Sequence, residues 1–73
     1  MQPKLFPRDY KMLRYACFNN NDIAQMLNLS PRTVELYMAQ VQAKLGASNK
    51  REMIVIAIRN NIMSVRNFAL TTD

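Results

Sequence analysis

Histidine is absent from all 73 residues, and cysteine and glycine occur once each. With no histidine and only Cys17, the chain can neither assemble a Cys/His zinc cluster nor close an internal disulfide. A lone thiol suits a reducing, cytoplasmic setting. One glycine, Gly46, cannot build a glycine-rich loop around a phosphate. Nothing points to an enzyme: the imidazole most used for proton transfer is missing, and the five Asp and Glu are scattered. No cofactor is implied. Long apolar runs are also missing. The longest, Met53 to Ile58, is far too short to cross a bilayer. The opening MQPKLFPRDYK lacks the apolar stretch of a signal peptide.

Acidic residues are few beside the ten Lys and Arg, leaving a net charge of +5 and a pI near 9.9. That balance favours a polyanion, either nucleic acid or an anionic membrane surface. A chain of this length is one domain, 1–73. At this size folding buries only ~60% of the unfolded surface, so dimerisation would help.

The stretch around which the rest is organised is Ser30 to Gly46. Ser30 can cap a helix through its hydroxyl, and Pro31 suits the first helical position. Val34, Met38, Val41 and Leu45 recur at helical steps and make one apolar stripe, and Gly46 stops the helix. The opposite face carries Arg32, Glu35, Leu36, Ala39, Gln40 and Ala43. Leu36 and Ala39 suit thymine methyls, whereas Arg32, Glu35 and Gln40 can read base edges or phosphates. An amphipathic helix with a merely solvated polar face is the alternative.

Upstream, Pro7 opens a first helix in which Met12, Leu13, Ala16 and Cys17 repeat at helical spacing. Cys17 is therefore expected in the core. Asn19 with Asp22 predicts a capping box for a short second helix bearing Ile23, Ala24 and Leu27. Asn28, in place of the frequent turn glycine, predicts a left-handed turn into the Ser30 helix, which makes a helix-turn-helix. Asn49 with Glu52 caps a fourth helix. Its Met53–Ile58 run also suits a buried strand, but no second strand-like run exists to pair with it. A helix apolar all round needs two covers, the core and a second subunit. Asn60 and Asn61 end it. Residues 64–73 lack a period and are expected to fray as a flexible tail, although Phe68 and Leu70 could dock. The expected architecture is all-α, with helices over roughly 7–17, 20–27, 31–45 and 50–60.

These residues together resemble the DNA-binding domain of LuxR-type (GerE-like) bacterial transcription regulators. Leu5-Phe6-Pro7-Arg8-Asp9, Asp22-Ile23-Ala24, Leu27, the run Ser30 to Glu35, Lys44-Leu45-Gly46 and Asn49-Lys50 carry the likeness, which spans about residues 5–62. It implies a four-helix domain, the second and third helices forming the helix-turn-helix and the fourth often mediating dimerisation. It implies that Glu35, Leu36, Ala39 and Gln40 face base edges. Thr33, Tyr37, Lys44, Asn49, Lys50 and the amides near Asn19 and Asn20 would hold phosphates, as helix N-termini do. Tyr37 equally suits packing beside the core, and Lys50 with Arg51 a solvated helix start. Arg8, Arg14, Arg59 and Arg66 are expected to be plain surface charges.

Several positions depart from the family's pattern. Phe6 stands where Ser or Thr usually caps the first helix. The turn before Asn19 is about two residues shorter and lacks its glycine. Tyr37 replaces a common histidine, and Asn61 a glycine. No sensor domain is present, so the chain reads as an excised effector domain or a small complete regulator.

Two functions follow as expectations. The first is a sequence-specific transcription regulator that binds an inverted repeat in double-stranded DNA as a homodimer, with no membrane role. Its dimer interface would use Met53, Ile54, Val55, Ile56 and Ile58. The second is an interaction module that pairs with another LuxR-type protein through helix 50–60 and modulates or blocks it. RNA recognition has little support, because Phe6, Tyr10, Tyr15, Phe18, Tyr37 and Phe68 form no stacking platform on a sheet.

Overall fold

A computed structural model describes residues 4–68 of the chain. It contains α1 (Pro7–Arg14), α2 (Asn20–Leu27), α3 (Pro31–Leu45) and α4 (Lys50–Arg59), followed by a 3-10 turn at Val65–Asn67. There is no strand among the described residues. Met53–Ile58 is helical, as the lack of a pairing partner predicts.

Helix starts follow the capping residues. The side chains of Asn19, Ser30 and Asn49 accept hydrogen bonds from the backbone N–H groups of Asp22, Thr33 and Glu52. The Glu52 carboxylate reaches back to the N–H of Ser48, one residue before the cap. Phe6 has no hydroxyl to offer α1. The Asp9 carboxylate instead accepts from the Phe6 N–H at 2.8 Å, which ties the helix start from the other side.

Three helix ends close in one way. Asn28 (φ 57°), Gly46 (φ 70°) and Asn61 (φ 57°) each adopt the left-handed conformation. The N–H after each reaches back five residues: Leu29 to Ala24, Ala47 to Gln42, and Ile62 to Ala57, at 2.8–2.9 Å. These are Schellman-type closures, in which asparagine tolerates the backbone that glycine usually takes.

α1 ends at Arg14, short of the expected residue 17. Tyr15 leaves the helix at φ −103°, ψ 13°, and the N–H groups of Ala16 and Phe18 bond three residues back to Leu13 and Tyr15. This tighter winding keeps Ala16 buried but turns Cys17 outward. The expectation that Cys17 packs in the core is therefore corrected.

α3 packs against each of the other three helices. Its Val34, Met38 and Val41 are buried among Met12 and Leu13 of α1, Ile23 and Ala24 of α2, and Met53 and Ala57 of α4. Leu45 packs half-buried at the edge. The C-terminal segment docks further than a fraying tail. Ser64 donates from its N–H to the Asn67 side chain, and Met63 and Phe68 join the core. Leu70 lies outside the described residues.

Candidate nucleic-acid interface

Burial of one stripe of α3 fixes what the other presents. With Val34, Met38 and Val41 inward, Arg32, Glu35, Leu36, Ala39, Gln40 and Ala43 are all exposed. Leu36 is 52% exposed, although burying a leucine is worth roughly 1.5–3 kcal/mol. It occupies the middle of a face otherwise polar or small. Thr33 and Tyr37 flank this face half-buried. The Thr33 hydroxyl pairs with that of Ser30 at 2.8 Å, and Tyr37 also packs against the core cluster.

Arg8 joins this surface from α1. Its guanidinium lies 4.1 Å from the centre of the Tyr37 ring, and Nη2 donates to Gln40 Oε1 at 2.7 Å. Arg8 is thus not the plain surface charge expected of it. The partners are 32 residues apart in sequence, and no local pattern signals the contact.

Lys44 has a partner within the chain. Its Nζ donates to Asp9 Oδ2 at 2.6 Å and sits 4.3 Å from the centre of the Phe6 ring. Asp9 is 0% exposed, and its Oδ1 is buried without a partner. Burial raises the carboxyl pKa, but the Lys44 hydrogen bond, the Phe6 N–H and the charges of Lys44 and Arg8 outweigh it. The carboxyl is held below its ordinary value. A depressed folded-state pKa means stability that is present above the unfolded pKa and lost as pH falls through the folded one. We expect stability to drop below about pH 4, and Asp9→Asn to lack that component; urea titrations across pH 2–6 measure it.

Lys50 also turns inward, donating to the Phe18 carbonyl at 2.6 Å. Burial lowers its pKa, with the nearby Cys17 acting in the opposite direction. This contact brings the start of α4 beside the start of α2. Asn19, Asn20, Asn49 and Lys50 therefore gather at one end of the domain. The first N–H groups of a helix have no intrahelical partner, so two adjoining N-termini make a phosphate-friendly edge. Asn19 and Asn49 spend their side-chain oxygens on caps. The Asn20 side-chain oxygen is buried without a partner, so at that position it is the backbone N–H that can meet a phosphate.

The candidate dimer residues separate. Met53 is 0% exposed and belongs to the core of the domain, which corrects its placement at an interface. Ile54 and Ile58 are half-buried against the same core. Val55 is 44% exposed, and Ile56 is half-buried beside it. Among the described residues no group of His, Cys, Asp and Glu could hold a metal ion, and no helix is long and apolar enough to cross a membrane.

A family model for bacterial regulatory proteins of the luxR family matches residues 4–57. The chain is similar to the transcriptional regulatory protein FixJ of Bradyrhizobium diazoefficiens, 32% identical over 62 residues, covering 82% of this chain and 30% of that protein. It is similar to the transcriptional activator protein BjaR1 of the same organism, 30% identical over 63 residues, covering 84% of this chain and 26% of that one. Among solved structures it resembles the Vibrio cholerae VqmA dimer, a LuxR-type receptor described in the absence of its target DNA. The TM-score is 0.75 at 30% identity, over 81% of this chain and 28% of that one. The chain thus spans less than a third of the length of these relatives.

Proposed function

The chain belongs to the luxR family of bacterial regulatory proteins, and from that premise we propose that it binds an inverted repeat in duplex DNA as a homodimer, with α3 in the major groove, and so regulates transcription in the cytoplasm. The observation that carries this reading is the outer face of α3. Leu36 is 52% exposed there, set among Arg32, Glu35, Ala39 and Gln40 on a helix whose other face is core. A leucine and an alanine suit thymine methyls, and the polar neighbours suit base edges. The net charge of +5 favours the phosphate backbone. Two-fold protein symmetry would place the half-sites about one helical turn apart, or a multiple of it.

Gln40→Ala is expected to relax preference at one base pair by roughly 1–3 kcal/mol, with little change elsewhere. Competition binding against single-position variants of the selected site measures this. Equal affinity of Gln40→Ala and wild type for every variant would contradict the docking.

A second reading rests on α4, where Val55 stays exposed. There the domain would pair with another LuxR-type protein and modulate or block it. Titration against duplex DNA separates the two, because a pure antagonist would show no DNA binding of its own.

A further inference from the structure

We propose that Arg8 is a specificity-determining positioning residue: it fixes the side-chain amide of Gln40 so that α3 presents a donor, and selects guanine, at the base that residue 40 reads. The inference rests on the DNA-binding reading and deepens it.

Arg8 Nη2 lies 2.7 Å from Gln40 Oε1. A guanidinium has five N–H donors and no acceptor, so the amide must turn its oxygen, not its nitrogen, toward Arg8. The orientation of the amide is thereby set by chemistry. Tyr37 holds the guanidinium in place from below, with 4.1 Å from the guanidinium carbon to the ring centre. Tyr37 and Gln40 are three residues apart on α3, so one plate-like group on α1 bridges adjacent turns of the recognition helix. A planar guanidinium can lie over the ring and donate in its own plane.

An unconstrained glutamine pairs with adenine through both ends of its amide, accepting from N6 and donating to N7. In this chain one of the two lone pairs of the amide oxygen is taken by a cation, which makes it a poorer acceptor for adenine N6, while the Nε2 group remains a donor on an exposed side chain. Guanine offers two acceptors in the major groove, O6 and N7, and no donor. It is therefore the base that a donor-presenting Gln40 matches best. Cytosine, which shows only the N4 donor there, matches worst.

The test selects binding sites from a random duplex pool with wild type, Arg8→Met, Gln40→Ala and the double variant. Gln40→Ala identifies the position that residue 40 reads, as the one whose preference relaxes. We expect guanine there in the wild-type site. Arg8→Met should move it toward adenine by about fivefold or more and leave the other positions unchanged. In the Gln40→Ala background the Arg8 substitution should change nothing further at that position. If Arg8→Met does not fold by its melting curve, Arg8→Gln replaces it. That side-chain amide both donates and accepts, so it no longer dictates which end of Gln40 faces it, and it should give the same shift.

Adenine at that position in the wild-type site overturns the inference, as does an unmoved preference in the Arg8 variants. A uniform loss of affinity with a smaller salt slope also overturns it, because that is the mark of a phosphate contact. Absence of any enriched site with wild type removes the DNA-binding reading itself, and the inference falls with it.

Discussion

Lys44→Met is expected to cost about 2–4 kcal/mol of stability at neutral pH, a large share of the roughly 4–11 kcal/mol available to a domain of this length. The cost comes from what the substitution leaves behind. Asp9 is 0% exposed, with Oδ2 bound to Lys44 Nζ and to the Phe6 N–H, and Oδ1 without a partner. Removing the ammonium strands a buried charge, which is costlier than removing both partners together. The Lys44 side chain is 26% exposed, so water screens part of the pairing and the loss falls short of that for a wholly buried pair. Asp9→Leu combined with Lys44→Met should therefore recover much of the loss, and urea unfolding of the three proteins measures it. A double variant no more stable than Lys44→Met alone would show that the stranded Asp9 charge is not the source of the loss. A Lys44 substitution should also weaken binding to all DNA sequences about equally. Part of that weakening would be lost folding, so a melting curve must accompany it.

Met53→Ala and Val55→Asp, two positions apart on α4, are expected to separate fold from assembly. Met53 fills the core, and truncating a buried methionine to alanine costs about 2–5 kcal/mol through lost transfer energy and the cavity left behind. Val55 is exposed. Its change to aspartate should leave stability within about 0.5 kcal/mol while placing a charge at the exposed apolar position that two subunits would share. Sedimentation should show a dimer for wild type and a monomer for Val55→Asp. A Val55→Asp protein that remains dimeric would move the interface away from this face of α4.

The two substitutions also mark how far the sequence can be read. The run Met53 to Ile58 declares a helix with more apolar surface than one core needs, but periodicity cannot say which stripe turns inward; packing against α3 decides that. Start and stop residues are more legible, because caps act within a few residues. Ser30, Asn19 and Asn49 set three helix starts, and Asn28, Gly46 and Asn61 close three helix ends. The end of α1 is not legible. Ala16 stays buried after the backbone has left the α-helix, so apolar spacing runs past the true end and carries Cys17 with it. The outer face of α3 is legible by subtraction from its buried stripe.

What lies furthest from sequence reasoning is contact across the chain. Lys44 meets Asp9 over 35 residues, and Arg8 meets Gln40 over 32. Each looks like an ordinary surface cation in its own stretch. The docked Phe68 is a similar case, because a segment without a period gives no sign of what its single aromatic covers.

The measurement that bears most directly on DNA recognition by α3 is selection of purified protein against a random-duplex pool at two salt concentrations, with the retained DNA sequenced. The prediction is an enriched inverted repeat with half-sites about one helical turn apart, or a multiple of it. Retention should fall steeply as salt rises. Retention without enrichment would reduce the chain to phosphate binding and leave Leu36, Ala39 and Gln40 without a base to read. No retention at low salt would contradict DNA recognition by this domain.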